Sequence, residues 1–531
     1  MSATTPQEAL SAPDRPALRQ PVSNAFLTAL LGLFALALYL PAIGYDFVYD
    51  SEAQIFLDPF LHQRSHFLDI ITFRVMGMDV LDFNRPIVLL SLFFDALLYG
   101  KDTPGYHLTN LLIHAGCVML LFRLLLRLTG RPLPSSLATL VYAAHPLLVE
   151  PVVEVGFRED LLVGFFLLAG LCTASRIGTS VAALAATVFF FFLAVASKES
   201  GVAALPILIA YWWLFYRKDP RKPWWTAIGA AAVTLGGFLV LRFALEPETS
   251  RIFTERPTRI ATGFDFVIVQ SRIWTGELLR VVLPVNLCAD YTGYSIRNIG
   301  VVTGLLTVAT VVLTQLFVAM HSRLFALGCV VFWSSLLPAS NFLPMYKPMA
   351  DRFLYTPLLG VALMLAAGLC RIWPPVDHWR DLLKPLRVGT LLGVLAGTAT
   401  LATLTCIQRS HWKDALTLWD HCLKVNPYSE AAYMGYGYAL LQRHRAQEAL
   451  APFARAVELT RRNYAGAFAG YALAAEAAGR HEDALKALQI AGTLDVRYND
   501  PDRLEPALIF SASQIATLKV ILLRAKTANG L

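Results

Sequence analysis

Charged side chains are scarce in this chain of 531 residues. Asp, Glu, Lys and Arg together make up 16% of the sequence, whereas hydrophobic residues make up 56%. Soluble globular proteins usually carry about 25% charged residues. This deficit argues against a soluble enzyme and predicts a membrane protein. The apolar runs follow one another for most of the chain and then stop, which indicates a different C-terminal region.

Cysteine motifs and nucleic-acid signatures are also missing. The seven cysteines are scattered, mostly in apolar runs, and none has CxxC or metal-ligand spacing. They are therefore interpreted as small buried hydrophobic side chains, not as a disulfide framework. The formal net charge is +7, but the basic residues form no stripe with aromatic ones. We therefore expect no nucleic-acid partner.

The N-terminal residues 1–23 are polar and proline-rich and include Arg15 and Arg19. The apolar run that follows is about 20 residues long, which is long for a cleavable signal peptide. We expect a cytoplasmic N-terminal tail followed by a retained membrane span.

Apolar segments with roughly the length of a spanning helix, about 20 residues, recur along the chain. They are residues 24–43, 105–127, 134–153, 160–176, 180–197, 201–216, 224–243, 301–320, 324–340, 351–372 and 388–407. Segment 264–287 is ambiguous. Arg272, Glu277 and Arg280 recur on one side of it, which suggests an interfacial or re-entrant helix, although a twelfth span is the alternative.

The basic junctions give an orientation. With the N-terminus inside and segment 264–287 left uncounted, the basic-only junctions, such as RKDPRK at 217–222, fall on the cytoplasmic side, as the positive-inside rule requires. The predicted fold is all-α: a polytopic domain of about 11 spans over residues 24–408, with a large first outer loop at 44–104.

Four mixed clusters of charge fall on the opposite, outer face. They are Asp50 with Glu52, Glu150 through Arg158-Glu159-Asp160, Lys198 with Glu199, and Asp351 with Arg352. Ionisable residues at membrane depth are costly and usually face a cavity or a functional site. Because the four clusters share one face, we expect a single polar pocket that opens outward.

An internal repeat begins after residue 408. Ala-Leu pairs start at residues 415, 449 and 484, with spacings of 34 and 35 residues. A large apolar residue stands four positions after each Ala: Trp419, Phe453 and Leu488. The pattern is typical of tetratricopeptide (TPR) repeats and predicts an extracytoplasmic α-solenoid over residues 409–531. Such solenoids present a groove to peptides; a packing domain without a ligand is the alternative.

The order of motifs resembles the TPR-bearing branch of the GT-C glycosyltransferases, close to the transmembrane-and-TPR O-mannosyltransferase family and its bacterial relatives. The motifs are FVYDSEAQI, FNRPIVLLSLFFDALLYG with KDTPGYHLTNLLIH, AAHPLLVEPVVEVGFREDLL, ASKESGVAALPILIAYW, LPVNLCADY and MADRFLYTPLLG, followed by the repeats. The resemblance covers about residues 40–530. It implies a polytopic enzyme that takes a sugar from a polyprenyl-phosphate donor at the non-cytoplasmic face. It also implies that the repeats handle an acceptor protein.

The resemblance places the family's leading catalytic acid at Asp50. The next family position usually holds a second Asp, whereas this chain has Ser51 and then Glu52. Glycosyl transfer to a hydroxyl needs a carboxylate that accepts the proton. Glu52 is either the second catalytic carboxylate or a residue that hydrates the loop. Two carboxylates make a thin metal site, so no metal ligand is assigned, although a divalent metal is left open.

The leaving phosphate needs fixed cations. The candidates for contact with the donor phosphate or sugar are Arg85, His145, Glu150, Arg158, Glu159, Asp160, Lys198, Glu199, Asp351 and Arg352. Arg158, Lys198 and Arg352 each have an acidic sequence neighbour, so each either binds phosphate or forms a structural ion pair. His145 and Glu150 either line the sugar pocket or are structural. We expect Asp46 and Asp58 to be turn or cap residues.

Together these inferences predict an inverting glycosyltransferase that moves a sugar, taken to be mannose, to a protein Ser or Thr hydroxyl. One rival is a transferase directed at a glycan or lipid. Another is a non-enzymatic, membrane-anchored TPR scaffold for envelope assembly, although an anchor does not need four outward charged clusters. A transporter is weakened because its sites would lie at mid-membrane. We expect a bacterial inner membrane location, with the repeats in the periplasm.

Overall fold

A computed structural model of the chain describes residues 21–57, 59–78, 80–177, 180–218, 223–245, 263–292, 299–342, 347–374, 384–499 and 510–528. Within these residues all regular secondary structure is helical, as the sequence predicts. The predicted cap residue Asp58 and the basic segment 219–222 lie outside the described residues.

The membrane part consists of α-helices joined by short 3-10 and π turns. The helices are α1 (Pro21–Tyr39), α2 (Phe67–Ile71), α3 (Pro86–Tyr99), α4 (Thr103–Thr129), α5 (Pro132–Ala143), α6 (Val149–Val153), α7 (Arg158–Ala174), α8 (Val181–Ser197), α9 (Ala204–Tyr211), α10 (Trp224–Leu245), α11 (Phe264–Val282), α12 (Val301–Ala319), α13 (Arg323–Leu336), α14 (Tyr355–Ile372) and α15 (Pro385–Ser410). Local chemistry sets the bounds. For example, α4 ends at Gly130, whose φ of +65° suits a residue without a Cβ, and Pro132 opens α5.

Each predicted span coincides with a helix or a broken helix. Seven helices of the described residues are long and apolar enough to cross a bilayer, or eight if the pair Pro132–Ala143 and Pro146–Val153, bent by 57°, forms one span. Shorter apolar helices cover Pro86–Tyr99, Val181–Ser197 and Arg323–Ala339. The chain is therefore a polytopic integral membrane protein.

Two helices depart from a simple spanning pattern. Helix α3 is apolar and lies within the predicted first outer loop, where it packs against α4. Helix α11, within the ambiguous segment, does not pass the length and hydropathy test for a span. Its polar residues Gln270, Glu277 and Arg280 are buried within the protein.

The C-terminal helical domain comprises α16 (Ala415–Val425), α17 (Glu430–Gln442), α18 (Ala446–Leu459), α19 (Ala465–Ala477), α20 (His481–Leu494) and α21 (Ala512–Ala528). The repeated Ala-Leu pairs lie near the start of α16, α18 and α20: Ala415 is the first residue of its helix, and Ala449 and Ala484 are the fourth residues of theirs. Successive helices pack on one another. This arrangement is the stacked-hairpin pattern that the repeat predicts, while the TPR assignment itself stays a prediction.

The first helix of this domain, α16, belongs to the core of the membrane part. Leu418, Trp419 and Cys422 of α16 join the hydrophobic cluster of the membrane helices, whereas Leu440 and Phe453 belong to a second cluster. The hydrophobic packing therefore changes from one cluster to the other within the repeats, while the domain boundary at residue 409 stays a prediction. This shared core seats the C-terminal domain over the loop that carries Asp50.

Candidate active site

Asp50 occupies the first turn of a short helical segment that follows Tyr49. Its side chain is exposed and makes no hydrogen bond or ion pair with any described residue. The surrounding protein nevertheless removes much of the water around its carboxylate, and this desolvation raises the pKa of Asp50 to about 6. The Arg352 guanidinium opposes the shift, while Asp82, Glu159 and Glu150 add to it. A free carboxylate with such a pKa is well matched to general-base chemistry near neutral pH.

Ser51, the residue after Asp50, is buried and structural. Its Oγ donates to the Val48 carbonyl at 2.7 Å, and its N–H donates to Glu154 Oε1 at 2.8 Å. The Gly156 N–H also donates to this oxygen, at 3.3 Å. A second carboxylate at position 51 would lie beside that of Glu154 and would repel it.

Glu52, the other predicted catalytic acid, has a partner. Gln442 of α17 donates a hydrogen bond to Glu52 Oε1. Burial raises the pKa of Glu52, and the Gln442 contact opposes that shift. Glu52 therefore links the loop to the C-terminal domain, whereas Asp50 is free to take a proton.

Arg352 is the cation with the strongest effect on Asp50. Its Nη1 lies 2.5 Å from Glu150 Oε1, and its backbone N–H donates to Glu150 Oε2 at 3.1 Å. Its guanidinium also stacks 3.9 Å from the centre of the Phe157 ring. The two predicted site residues Glu150 and Arg352 thus form a buried pair that holds a fixed cation beside the candidate base.

Lys198 and Arg85 extend this charged group. Lys198 Nζ lies 2.7 Å from both carboxylate oxygens of Asp160 and 3.6 Å from Glu159. Arg85 lies 3.2 Å from Glu159 and 2.7 Å from Asp82. Because Glu159 contacts both cations, the predicted clusters at 159–160 and 198–199 form one network with Arg85. Among the described residues, no ion pair joins this network to the Glu150–Arg352 pair.

Glu199 lies at the edge of this network, whereas Asp351 lies outside it, beside Tyr291 and Arg280. Glu199 approaches Arg242 at 3.3 Å and Arg85 Nε at 3.8 Å. Asp351 accepts a hydrogen bond of 2.8 Å from the Tyr291 hydroxyl. Both acids therefore have protein partners, and their positions favour fixing neighbouring groups over direct contact with a sugar.

The positions of Arg158 and His145 favour structural roles. Arg158 is fully buried and bonds Asp95 and Asn110, both at 2.6 Å, and also Ser91 and the Tyr106 carbonyl. His145 Nδ1 accepts from the Leu147 N–H, and Nε2 bonds the Val281 carbonyl. Both side chains use their hydrogen-bonding groups within the protein and do not point to a ligand role.

A cleft of about 1190 Å³ opens on the other side of Asp50. Its walls are the loop after α1 and the inner face of the C-terminal helical domain. The lining includes Asp46, Asp50, Glu52, Trp419, Gln442 and Glu476. Asp46, predicted as a turn or cap residue, is thus an exposed acid of the cleft wall. Asp50 is therefore reached from a groove that the two parts of the chain build together.

Some residues of the site were not predicted. Asp82 accepts a hydrogen bond from Gln54 and pairs with Arg85, and burial raises its pKa. Glu154, which accepts the hydrogen bond from the Ser51 N–H, lies in the segment VEPVVEVGF, four residues after the predicted site residue Glu150. That position in the motif could have marked Glu154 as a site residue. Lys347 lies 4.3 Å from the centre of the Tyr49 ring, and nothing in its sequence surroundings points to this contact.

A metal site is not evident from the side chains that the structure describes. Within those ranges, no group of three or more His, Cys, Asp or Glu residues is arranged to hold an ion. Asp50 by itself offers a single carboxylate ligand, which is fewer than a dedicated divalent site needs.

Comparison with known proteins finds similar sequences among protein O-mannosyl-transferases. The chain is 26% identical over 440 residues to Protein O-mannosyl-transferase F38B6.6 of Caenorhabditis elegans, covering 77% of this chain and 60% of that protein. It is 24% identical over 488 residues to Protein O-mannosyl-transferase TMTC3 of Homo sapiens, covering 82% and 51%. The chain thus spans about half the length of the curated relatives it matches. No family model matches it.

Among solved structures, the chain is similar to ArnT from Cupriavidus metallidurans, whose crystal structure was determined with undecaprenyl phosphate bound. The identity is 14% and the TM-score is 0.38, with 95% of this chain and 88% of that chain covered. The sequence relatives confirm the resemblance to O-mannosyltransferases that the motifs indicate.

Proposed function

We propose that this protein is a membrane glycosyltransferase that moves a sugar from a polyprenyl-phosphate donor to a hydroxyl group of a protein Ser or Thr. The position of Asp50 carries the proposal. This unpaired carboxylate lies between a network of fixed cations and an open cleft. The relatives named protein O-mannosyl-transferase support the reaction class and favour mannose.

In the proposed reaction, Asp50 accepts the proton of the acceptor hydroxyl as its oxygen attacks the anomeric carbon. The bond between that carbon and the phosphate oxygen breaks in the same displacement, so the configuration at the sugar inverts. The electron pair leaves with the polyprenyl phosphate. Asp50 must be ionised to act, and its raised pKa makes it a stronger base than an ordinary carboxylate.

The leaving phosphate is proposed to be stabilised by Arg352, Lys198 and Arg85. All three are held by buried or half-buried carboxylates, so little reorganisation is needed when negative charge develops. Arg85 Nε makes no hydrogen bond in the described structure. That nitrogen is buried and lies 3.8 Å from Glu199. Glu159, which contacts both Arg85 and Lys198, is proposed to release one of these cations to the ligand.

The acceptor is proposed to lie in the cleft between the Asp50 loop and the C-terminal helical domain. A volume of about 1190 Å³ accommodates an extended peptide segment rather than a small molecule alone. Polar groups and aromatic rings line it, among them Glu52, Trp419 and the exposed Gln442. We further propose that the repeats are TPR units. The protein would lie in a bacterial inner membrane, with the cleft and the repeats on the periplasmic side.

The test uses the full-length protein reconstituted in lipid vesicles with radiolabelled polyprenyl-phosphate mannose and a Ser/Thr-rich peptide. We expect labelled peptide and free polyprenyl phosphate from the unaltered protein and neither from Asp50→Asn. Asp102→Asn serves as the matched control, because Asp102 is an exposed acid of the same outer loop. Transfer to a glycan or lipid but not to peptide would replace the protein acceptor. Absence of transfer from every polyprenyl-phosphate sugar would refute the enzyme.

A further inference from the structure

The loop Leu287–Thr292 anchors the C-terminal helical domain to the membrane part. Asn426 donates to the Asp290 carbonyl oxygen at 3.0 Å, and Ser429 Oγ donates to Asp290 Oδ2 at 2.5 Å. All three of these residues are buried. The same Ser429 oxygen caps α17 by accepting from the Ala432 N–H at 2.9 Å. Asp290 therefore keeps these two hydrogen bonds only while the first hairpin of the domain is packed against the loop.

The other carboxylate oxygen of Asp290 faces a lysine. Lys347 Nζ lies 3.7 Å from Asp290 Oδ1 and donates to the Ala289 carbonyl at 3.3 Å. Only 10% of the Lys347 side chain is exposed. Its ammonium group lies 4.3 Å from the centre of the Tyr49 ring, within the range of a cation–π contact. One lysine thus contacts both the anchoring loop and the residue before Asp50.

Tyr49 is held in an unusual backbone conformation. Its φ is +58°, a left-handed value that side chains other than Gly, Asn and Asp seldom adopt. Its ring is enclosed by Lys347, by Phe157 at 5.5 Å and by Trp419 of α16 at 5.2 Å. Such a conformation persists only where surrounding contacts hold it, and it sets the direction in which the next residue, Asp50, leaves the backbone.

We infer that Lys347 is a positioning residue that couples the seating of the C-terminal helical domain to the orientation of Asp50. The contacts run from Ser429 through Asp290 and Lys347 to Tyr49. When the first hairpin is seated, Asp290 holds Lys347 over the Tyr49 ring and Asp50 faces the cleft. When the hairpin lifts, Lys347 loses its anchor and the Tyr49 turn relaxes. This inference rests on the proposed function for its kinetic consequence but not for its structural one.

The kinetic test compares Lys347→Met, which keeps the stem without the charge, with Lys347→Arg, which restores a cation. Small misplacements of a catalytic group cost up to about 100-fold in rate. We therefore expect Lys347→Met to lower kcat by about 10-fold to 100-fold, with the donor KM unchanged and most of the rate restored in Lys347→Arg. The control is Lys424→Met, since Lys424 is an exposed lysine of the same hairpin whose partner is Asp420.

The structural test measures amide hydrogen exchange of residues 45–57. We expect faster exchange there in Lys347→Met and in Ser429→Ala, and no change in Lys424→Met. Full kcat in Lys347→Met would overturn the inference, as would a loss of kcat without faster exchange in this segment. If the unaltered protein transfers no sugar, the proposed function fails. The exchange comparison still decides whether Lys347 orders the Tyr49 turn.

Discussion

The ion pairs on the two sides of Asp50 differ in how deeply they are buried. On the membrane side, ions are buried and tightly paired, as in Lys198 with Asp160 at 2.7 Å. On the side of the C-terminal domain, ion pairs such as Arg455 with Glu458 lie on the surface. Breaking a buried pair costs about 3–5 kcal/mol, whereas a surface pair contributes about 0–1 kcal/mol. The membrane side therefore holds its charged groups in fixed positions. The side of the C-terminal domain does not, so it can bind a partner whose sequence varies.

The largest expected effect follows from removing the free charge between the two sides. General-base catalysis contributes about 10²-fold to 10⁴-fold, so Asp50→Asn should lower kcat by that factor. Donor binding should persist because Asp50 has no structural partner to lose. Titration of the variant with donor and thermal unfolding check this. A folded Asp50→Asn protein with normal kcat would contradict the assignment of the base.

Next in size is the loss of the cation on the membrane side. Arg352→Met should destabilise the protein by about 3–5 kcal/mol, because Glu150 is left buried without its partner, and should also slow sugar transfer. Thermal unfolding in detergent and transfer assays measure the two effects. Arg371→Met is the control, since Arg371 is exposed in the last turn of α14, the helix that follows the turn carrying Arg352. Equal behaviour of the two variants would show that the pair with Glu150 is dispensable.

Changes on the cleft side should be smaller and confined to the acceptor. Gln442→Ala with Arg443→Ala removes two exposed side chains of the lining. We expect the KM for peptide to rise by about 10-fold, as for loss of uniform binding energy, with donor hydrolysis unchanged. Arg455→Ala, on the exposed surface outside the cleft, should have no effect. An unchanged peptide KM in the double variant would place the acceptor elsewhere.

The smallest effect is expected at Glu52. Glu52→Gln keeps a side-chain oxygen for the bond from Gln442, so kcat should fall by less than about threefold, the scale of a single weak polar contact. The comparison with Asp50→Asn separates the two candidate bases directly. A loss at Glu52→Gln as large as that at Asp50→Asn would move the base to Glu52.

The sequence predicted the helical membrane part, the repeat positions and several residues of the charged network, but not Asp82 or Arg242. These follow from hydropathy, periodicity and motif order, which are local properties of the chain. The partner of each buried ion could not be predicted from these local properties. Arg158 is bound by Asp95 of α3, which the sequence presents only as one acid in an apolar run. Lys347, Asp290 and Tyr49 lie in three segments that are distant in the sequence. Such contacts are set by tertiary packing, so composition and spacing carry little sign of them.

The pH dependence of single-turnover transfer tests the central assignment most directly. Asp50 acts only when ionised, and burial raises its pKa to about 6. The rate should therefore fall about tenfold per pH unit below that value and level off above it. Asp50→Glu should keep an acid limb with a shifted midpoint. A rate that is constant from pH 5 to pH 8 would contradict a base with this pKa and, with it, the account of Asp50.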